Sequence, residues 1–248
     1  MLSKLETLTG ISSLDSLIGN FEKSALIFIV GRPAMGKTAM VTQIAKHWIQ
    51  NNKKKTMFFS FELGENHLIR RLEKINEGPL PENHNIIVDD NPILSVLEML
   101  AICEKIDDLG IVMVDYLQLV NADCSDPRDR TRIEVIGDAC RKLKKIAEKL
   151  QVPVVCVSQL HRACEYRVDK RPLLSDLWFC PEIELLSDQV LFLYRDSYYN
   201  PDTLEPDRAE CIVAKNTRGA IGTVSLRWNS EVFSFEEYVK QNVSELNS

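Results

Sequence analysis

The stretch Gly31-Arg32-Pro33-Ala34-Met35-Gly36-Lys37-Thr38, GRPAMGKT, follows the apolar run ALIFIV and precedes AMVTQIAKHWI. The first run is short and continuous, which predicts a buried strand. In the second, Met40, Val41, Ile44, Ala45, Trp48 and Ile49 recur at helical spacing. Between them, Gly31 and Gly36 let the backbone turn tightly, so its N–H groups can face phosphate oxygens beside the positive end of a helix. Lys37 would reach the β- and γ-phosphates of a nucleotide, and Thr38 would place its hydroxyl on Mg²⁺. The spacing G-x-x-x-x-G-K-[ST] arises by chance in roughly one chain of this length in a hundred. A strand before it and a helix after it make coincidence rarer still.

Outward from this loop the alternation continues. KKKTMFFSFEL predicts a basic turn and a second strand, GENHLIRRLEKIN a helix and IIVDD a short strand. Residues 93–108 read as helical and IVMVDY (111–116) as a buried strand. The polar stretch NADCSDPRDR leads to a long helix with Ile136, Ala139, Cys140, Leu143, Ile146, Ala147 and Leu150 on one face. VPVVCVSQ (152–159) is a further strand, and a mostly irregular insertion runs from His161 to the strand QVLFLY (189–194). AECIVAKN, GTVSLRW and EVFSFEE read as antiparallel strands at the sheet edge. The expectation is an α/β fold, a mostly parallel twisted sheet flanked by helices, with antiparallel edge strands near the C-terminus. Ligands of such sheets bind at the carboxyl ends of the strands.

Three polar residues fall at those ends. Asp115 closes IVMVD, where a carboxylate facing the crevice can hold the water shell of Mg²⁺; a helix cap or surface turn is the competing reading. Glu62 closes TMFFSFE, where it can orient and deprotonate a water in line with the γ-phosphate, or cap the helix beginning near Glu65. Gln159 closes VPVVCVSQ, either as a γ-phosphate contact or as a solvated amide. A lysine, two carboxylates and an amide on one crevice suit hydrolysis better than transfer to an organic acceptor. The separate carboxylate at Glu62, away from Asp115, resembles the RecA-type arrangement of P-loop NTPases.

Composition sets outer bounds. The 248 residues fit one large domain, and no apolar run approaches the ~20 residues that cross a bilayer, so no membrane partner is expected. The net charge of −6 counts mildly against nucleic acid without excluding contact through a few loops. Seven scattered cysteines without a C-x-x-C pair predict buried thiols and a reducing, cytoplasmic location.

TGISSLDSLIG, GRPAMGKTA, FFSFEL, IVMVDYLQL, LKKIAEKLQVPVVCVSQLHR, DKRPLLSDL, VLFLYRDSYYNP and AKNTRGAIGTV occur in this order over about residues 9–235. Together they resemble the ATPase domain of replicative DNA helicases of the DnaB type. The resemblance implies a RecA-like core binding ATP and Mg²⁺, with residues 31–38 as the nucleotide loop. It implies Thr38 and Asp115 as the magnesium residues, Glu62 as catalytic base, Lys37 on the phosphates and Gln159 as γ-phosphate sensor. It further implies a homo-oligomeric, hexameric ring with ATP between subunits, and loops after DYLQL and SQL lining a channel for single-stranded DNA. Primase or a helicase loader is the corresponding protein partner. Arg162, Arg167, Lys170 and Arg171 make the segment 162–171 locally basic, which suits phosphate contacts; a solvated loop with internal ion pairs is the alternative.

The chain departs from that family at three points. After LSDL the family carries Arg-Glu-Ser-Gly, where this chain has Trp178, Phe179, Cys180 and Pro181. Burial of the two rings against a neighbouring segment or subunit is expected, with base stacking as the alternative. The family's Lys-x-Arg pair, donated across the subunit interface to ATP, here reads Lys215-Asn216-Thr217, with Arg218 one place later. The chain also starts at the ATPase core, without the helical amino-terminal domain and linker helix of such helicases, so a single domain over 1–248 is expected. The leading functional expectation is an ATP-driven DNA translocase that unwinds duplex when assembled. The alternatives are a RecA-fold ATPase that does not unwind, acting as loader, regulator or degenerate subunit, and a nucleotide-binding scaffold without catalysis.

Overall fold

The computed structural model of the chain describes residues 8–81, 84–121 and 131–239. In chain order its elements are α1 (Ser12–Ile18), β1 (Leu26–Gly31), α2 (Lys37–Asn51), β2 (Lys55–Ser60), α3 (Glu65–Ile75), β3 (Ile86–Asp89) and α4 (Val96–Cys103). They continue with β4 (Leu109–Asp115), α5 (Arg132–Leu150), β5 (Val154–Gln159), α6 (Pro181–Leu186), β6 (Gln189–Arg195), β7 (Arg208–Asn216), β8 (Gly222–Asn229) and β9 (Ser234–Glu237). One sheet holds the nine strands in the order β3-β2-β4-β5-β1-β6-β7-β8-β9, parallel from β3 to β6 and antiparallel from β6 to β9.

The continuous apolar strands are explained by cover on both faces. Along β1, Ile27 and Ile29 pack in one core with Leu14, Val41, Ile44 and Leu72 from α1, α2 and α3. Leu26, Phe28 and Val30 pack in the other with Met99, Cys140, Leu143 and Ile183 from α4, α5 and α6. Successive side chains of a strand point to opposite faces, so a strand buried on both sides has no polar alternation to display.

The structure differs locally from the pattern reading. The periodicity predicts no element over 12–18, yet α1 forms there, where the Asp15 carboxylate accepts the Thr9 N–H at 2.9 Å and the Thr9 hydroxyl at 2.7 Å. The helical segment read over 93–108 shortens to α4, which starts at a capping box between Ser95 and Glu98. The irregular insertion contains single 3₁₀ turns at 162–166 and 174–177, then α6 with Pro181 in its first turn, where proline sacrifices no helical hydrogen bond. The stretch 122–130, with most of NADCSDPRDR and Cys124, lies outside the described residues. The six described cysteines are buried free thiols. No described helix is long and apolar enough to cross a membrane.

Register then sets out the site. Gly31 lies opposite Gln159 and Ser60 opposite Asp115, which brings the carboxyl ends of β1, β5, β4 and β2 side by side. The β8–β9 hairpin folds back over α2, where the buried Gln43 amide accepts the Phe235 N–H at 2.8 Å and donates to Phe235 O at 2.9 Å and Thr9 O at 2.7 Å. That clamp carries the aromatic residues of the hairpin to the mouth of the 31–38 loop.

Candidate active site

A cavity of about 430 Å³ opens at these strand ends, lined on one side by Gly36, Lys37, Thr38, Glu62 and Gln159. Gly36 is the residue before α2 and has φ +91°, the left-handed conformation glycine adopts without strain; a Cβ there would meet the Phe235 ring at 2.5 Å. Pro33 and Ala34 line the cavity too. The other loop residues serve it indirectly. Met35 is buried, and its Sδ accepts the Arg195 N–H at 3.2 Å. Gly31 is buried at the end of β1. The Arg32 side chain turns away, to the Glu165 carboxylate and Leu160 O, both at 2.8 Å.

Lys37 Nζ donates to Arg32 O at 2.9 Å. Burial lowers its pKa to about 8, against the opposing pull of Asp115 and Glu62. Asp115 is 1% exposed, and burial raises its pKa to about 6 in spite of the nearby Thr38 hydroxyl and Lys37. Neither Asp115 oxygen has a hydrogen-bond partner that meets ordinary geometry among the described residues, the Thr38 hydroxyl included. A buried carboxylate without partners costs stability unless a cation satisfies it. With a hydroxyl beside it the donor set is all oxygen, which fits Mg²⁺. No cluster of three or more His, Cys, Asp or Glu occurs among the described residues, so an ion here would complete its shell from phosphate and water.

Glu62 lies just beyond β2, exposed and facing the cavity. The helix-capping reading of this residue is not what the structure has: the residue before α3 is Gly64, and Asp90 meets the helix start by accepting the Glu65 N–H at 2.9 Å. Gln159 ends β5 half-buried, its backbone held by Gln118.

The far side of the cavity was not legible in the motifs. Arg71, Tyr116, Arg195, Trp228 and Phe233 complete the lining. The Arg195 guanidinium sits 4.7 Å from the Trp228 ring centre, with its Nε buried and unpartnered among the described residues. The Arg71 guanidinium lies 5.1 Å from the Phe233 ring centre. No local spacing joins these residues; the position of Arg195 at the end of an apolar strand was the one available signal.

The basic segment divides. Arg167 pairs with Asp176 through two bonds of 2.5 and 2.8 Å, and Arg171 with Glu210 through two of 2.7 Å. Lys170 lies 5.8 Å from the Tyr199 ring centre. Arg162 is exposed and has no ion pair among the described residues. Lys215 donates to Glu184 O, and Arg218, its side chain 71% exposed, lies 3.4 Å from Glu22. Lys215 faces Val190 near the start of β6, whereas Arg195 at the other end of that strand reaches the cavity. Neither Lys215 nor Arg218 lines the chain's own cavity.

The family profile described as DnaB-like helicase C terminal domain matches residues 7–79 and 73–237. The replicative DNA helicase DnaC of Bacillus subtilis (strain 168) is 35% identical over 253 residues, covering 92% of this chain and 55% of that protein. The chain thus spans little more than half the length of such relatives. One solved structure, itself an isolated ATPase domain, superposes with a TM-score of 0.83 at 31% identity, over 93% of this chain and 90% of that one. A DnaB-like replicative helicase, solved in a study of its interactions with primase, gives 0.82 at 31% identity, over 93% of this chain and 63% of that one.

Proposed function

This chain belongs to the family of DnaB-like helicase C-terminal domains, and we propose that it is the ATP-hydrolysing unit of a replicative DNA helicase. The observation that carries the reading is the convergence of Lys37, Thr38, Glu62 and Gln159 on one cavity, with the orphaned carboxylate of Asp115 beside Thr38.

In this reading the triphosphate of ATP lies along residues 31–38, with Lys37 on its outer phosphates. Thr38 and Asp115 hold Mg²⁺, which when bound neutralises charge on the phosphate oxygens. Glu62 orients the attacking water and takes its proton; its exposure leaves room for that water. Gln159 hydrogen-bonds the γ-phosphate and passes its loss to the segment beginning at Leu160. Trp228, Phe233 and Arg195 offer the base two apolar faces and a cation.

Lys215 and Arg218, away from their own cavity, are assigned to the nucleotide of a neighbour, which requires a homo-oligomer, a hexameric ring in the working form. Arg162 is assigned to the DNA strand, while Arg167, Lys170 and Arg171 shape the loop that presents it. Primase or a loader would be the protein partner, and the cytoplasm the compartment. The test is strand displacement on forked DNA by the assembled oligomer with ATP. Displacement is expected; hydrolysis without it overturns the unwinding role. Thr217, at the position of the family's arginine, favours the second reading, an ATPase that does not unwind, whose signature is hydrolysis indifferent to single-stranded DNA.

A further inference from the structure

The sequence leaves Trp178 between burial and stacking, and the structure separates it from its neighbour. Phe179 packs half-buried against the core, whereas Trp178 is 60% exposed. The exposed ring is nevertheless held. The edge of the exposed His161 ring meets it at a centroid distance of 5.2 Å and an interplanar angle of 73°. The turn 174–177 before it is pinned by buried Leu177, by the Cys180 N–H on Leu177 O at 2.8 Å, and by the two-pronged Arg167–Asp176 pair. Next to His161 stands Arg162, the cation of this segment that has no carboxylate partner among the described residues.

A fixed, exposed aromatic face beside an uncommitted cation matches a ligand with flat π faces on an anionic backbone. A protein surface seeking burial would be met by an apolar rim; here the immediate neighbours are histidine and arginine. We propose that Trp178, braced by His161, stacks on an unpaired base of a single-stranded nucleic acid, while Arg162 meets a phosphate of the same strand. The inference rests on the strand-binding reading above and adds its mode, a stacking contact where electrostatics alone would otherwise hold the strand. His161 is two residues beyond Gln159, and Arg32 of the phosphate loop bonds Glu165 and Leu160, so the platform is joined to the nucleotide cavity by short connections.

The experiment uses the full chain and an unlabelled thymidine oligonucleotide, with binding read across a salt series. Trp178→Ala should weaken binding about 10-fold or more at every salt concentration, with the salt slope unchanged. Arg162→Ala should instead reduce the slope of log affinity against log salt by about 0.7. Trp178→Phe should keep most of the affinity but lose the fluorescence quenching that the oligonucleotide causes in the wild type, which guards against a misfolded alanine variant. Equal affinity of wild type and Trp178→Ala overturns the proposal, as does quenching that survives in Trp178→Phe. A change confined to self-association in Trp178→Ala assigns the ring to a second copy and also overturns it. Absence of oligonucleotide binding by the wild type sinks the strand-binding reading itself, and the stacking contact with it.

Discussion

The side-chain carbonyl of Gln118 accepts the backbone N–H of Gln159 at 2.9 Å, while the Gln118 amide donates to the Ser158 hydroxyl at 2.9 Å and to Gln159 O at 3.2 Å. One side chain from the turn after Asp115 therefore fixes the end of β5. The magnesium-side carboxylate and the γ-phosphate amide sit on neighbouring strands, and Gln118 closes the gap between their ends. Gln118→Ala should leave nucleotide affinity within about twofold but lower turnover about 10-fold, because a loosened Gln159 is misplaced more than it is removed. Steady-state kinetics with KM and kcat resolved separately check this; an unchanged kcat would dismiss the clamp.

Glu62 and Lys37 should separate chemistry from binding. Glu62→Gln should retain nucleotide and lose about 10²–10⁴-fold in hydrolysis. Lys37→Ala should bind no measurable nucleotide. Equilibrium binding of a fluorescent ATP analogue, beside phosphate release, distinguishes them. Full hydrolysis in either variant would refute the assignment.

At Gly36 backbone and packing agree. With φ +91°, and with Phe235 2.5 Å and Trp228 3.2 Å from where a Cβ would stand, Gly36→Ala is strained and must push the β8–β9 hairpin away from α2. A loss of at least about 2 kcal/mol in urea denaturation is expected, together with weaker nucleotide binding. Gly19 has φ +67° but open space around it, so Gly19→Ala should cost only the backbone strain, about 1 kcal/mol.

His47 gives the fold a pH dependence away from the nucleotide. Burial first, then Lys46, holds its pKa at about 4, below the 6.5 of a free imidazole. The unfolded chain therefore takes up a proton below pH 6.5 that the folded chain refuses. Stability from this group is full above pH 6.5 and falls as pH drops toward 4. Discounted for its half-buried ring, the loss is about 1 kcal/mol. Denaturation compared at about pH 7.5 and about pH 5 should show a smaller pH difference in His47→Asn than in the wild type. Equal differences would exclude His47 as the source.

Arg218→Ala tests action across an interface. In mixtures with wild type, the variant should depress turnover by more than its share, since each wild-type site next to a variant subunit loses a cation. Turnover falling in simple proportion to wild-type content would rule that out.

Much of this protein is determined locally. GRPAMGKT between an apolar strand and an amphipathic helix, and Asp115 and Gln159 at the tips of apolar runs, are legible because strand ends and glycine turns are set by a few adjacent residues. Backbone sterics and hydrophobic period act over less than a dozen positions. Tertiary structure alone decided the rest. Arg195, Trp228 and Phe233 reach the cavity because β6 ends there and Gln43 clamps β9 onto α2. Arg167 and Arg171 are spent on Asp176 and Glu210, leaving Arg162 uncommitted, and Trp178 is exposed while Phe179 beside it is half-buried. These outcomes depend on which distant carboxylate or apolar surface the folded chain brings within a few ångströms. Charge pairing and burial are properties of that proximity, and no local pattern encodes it.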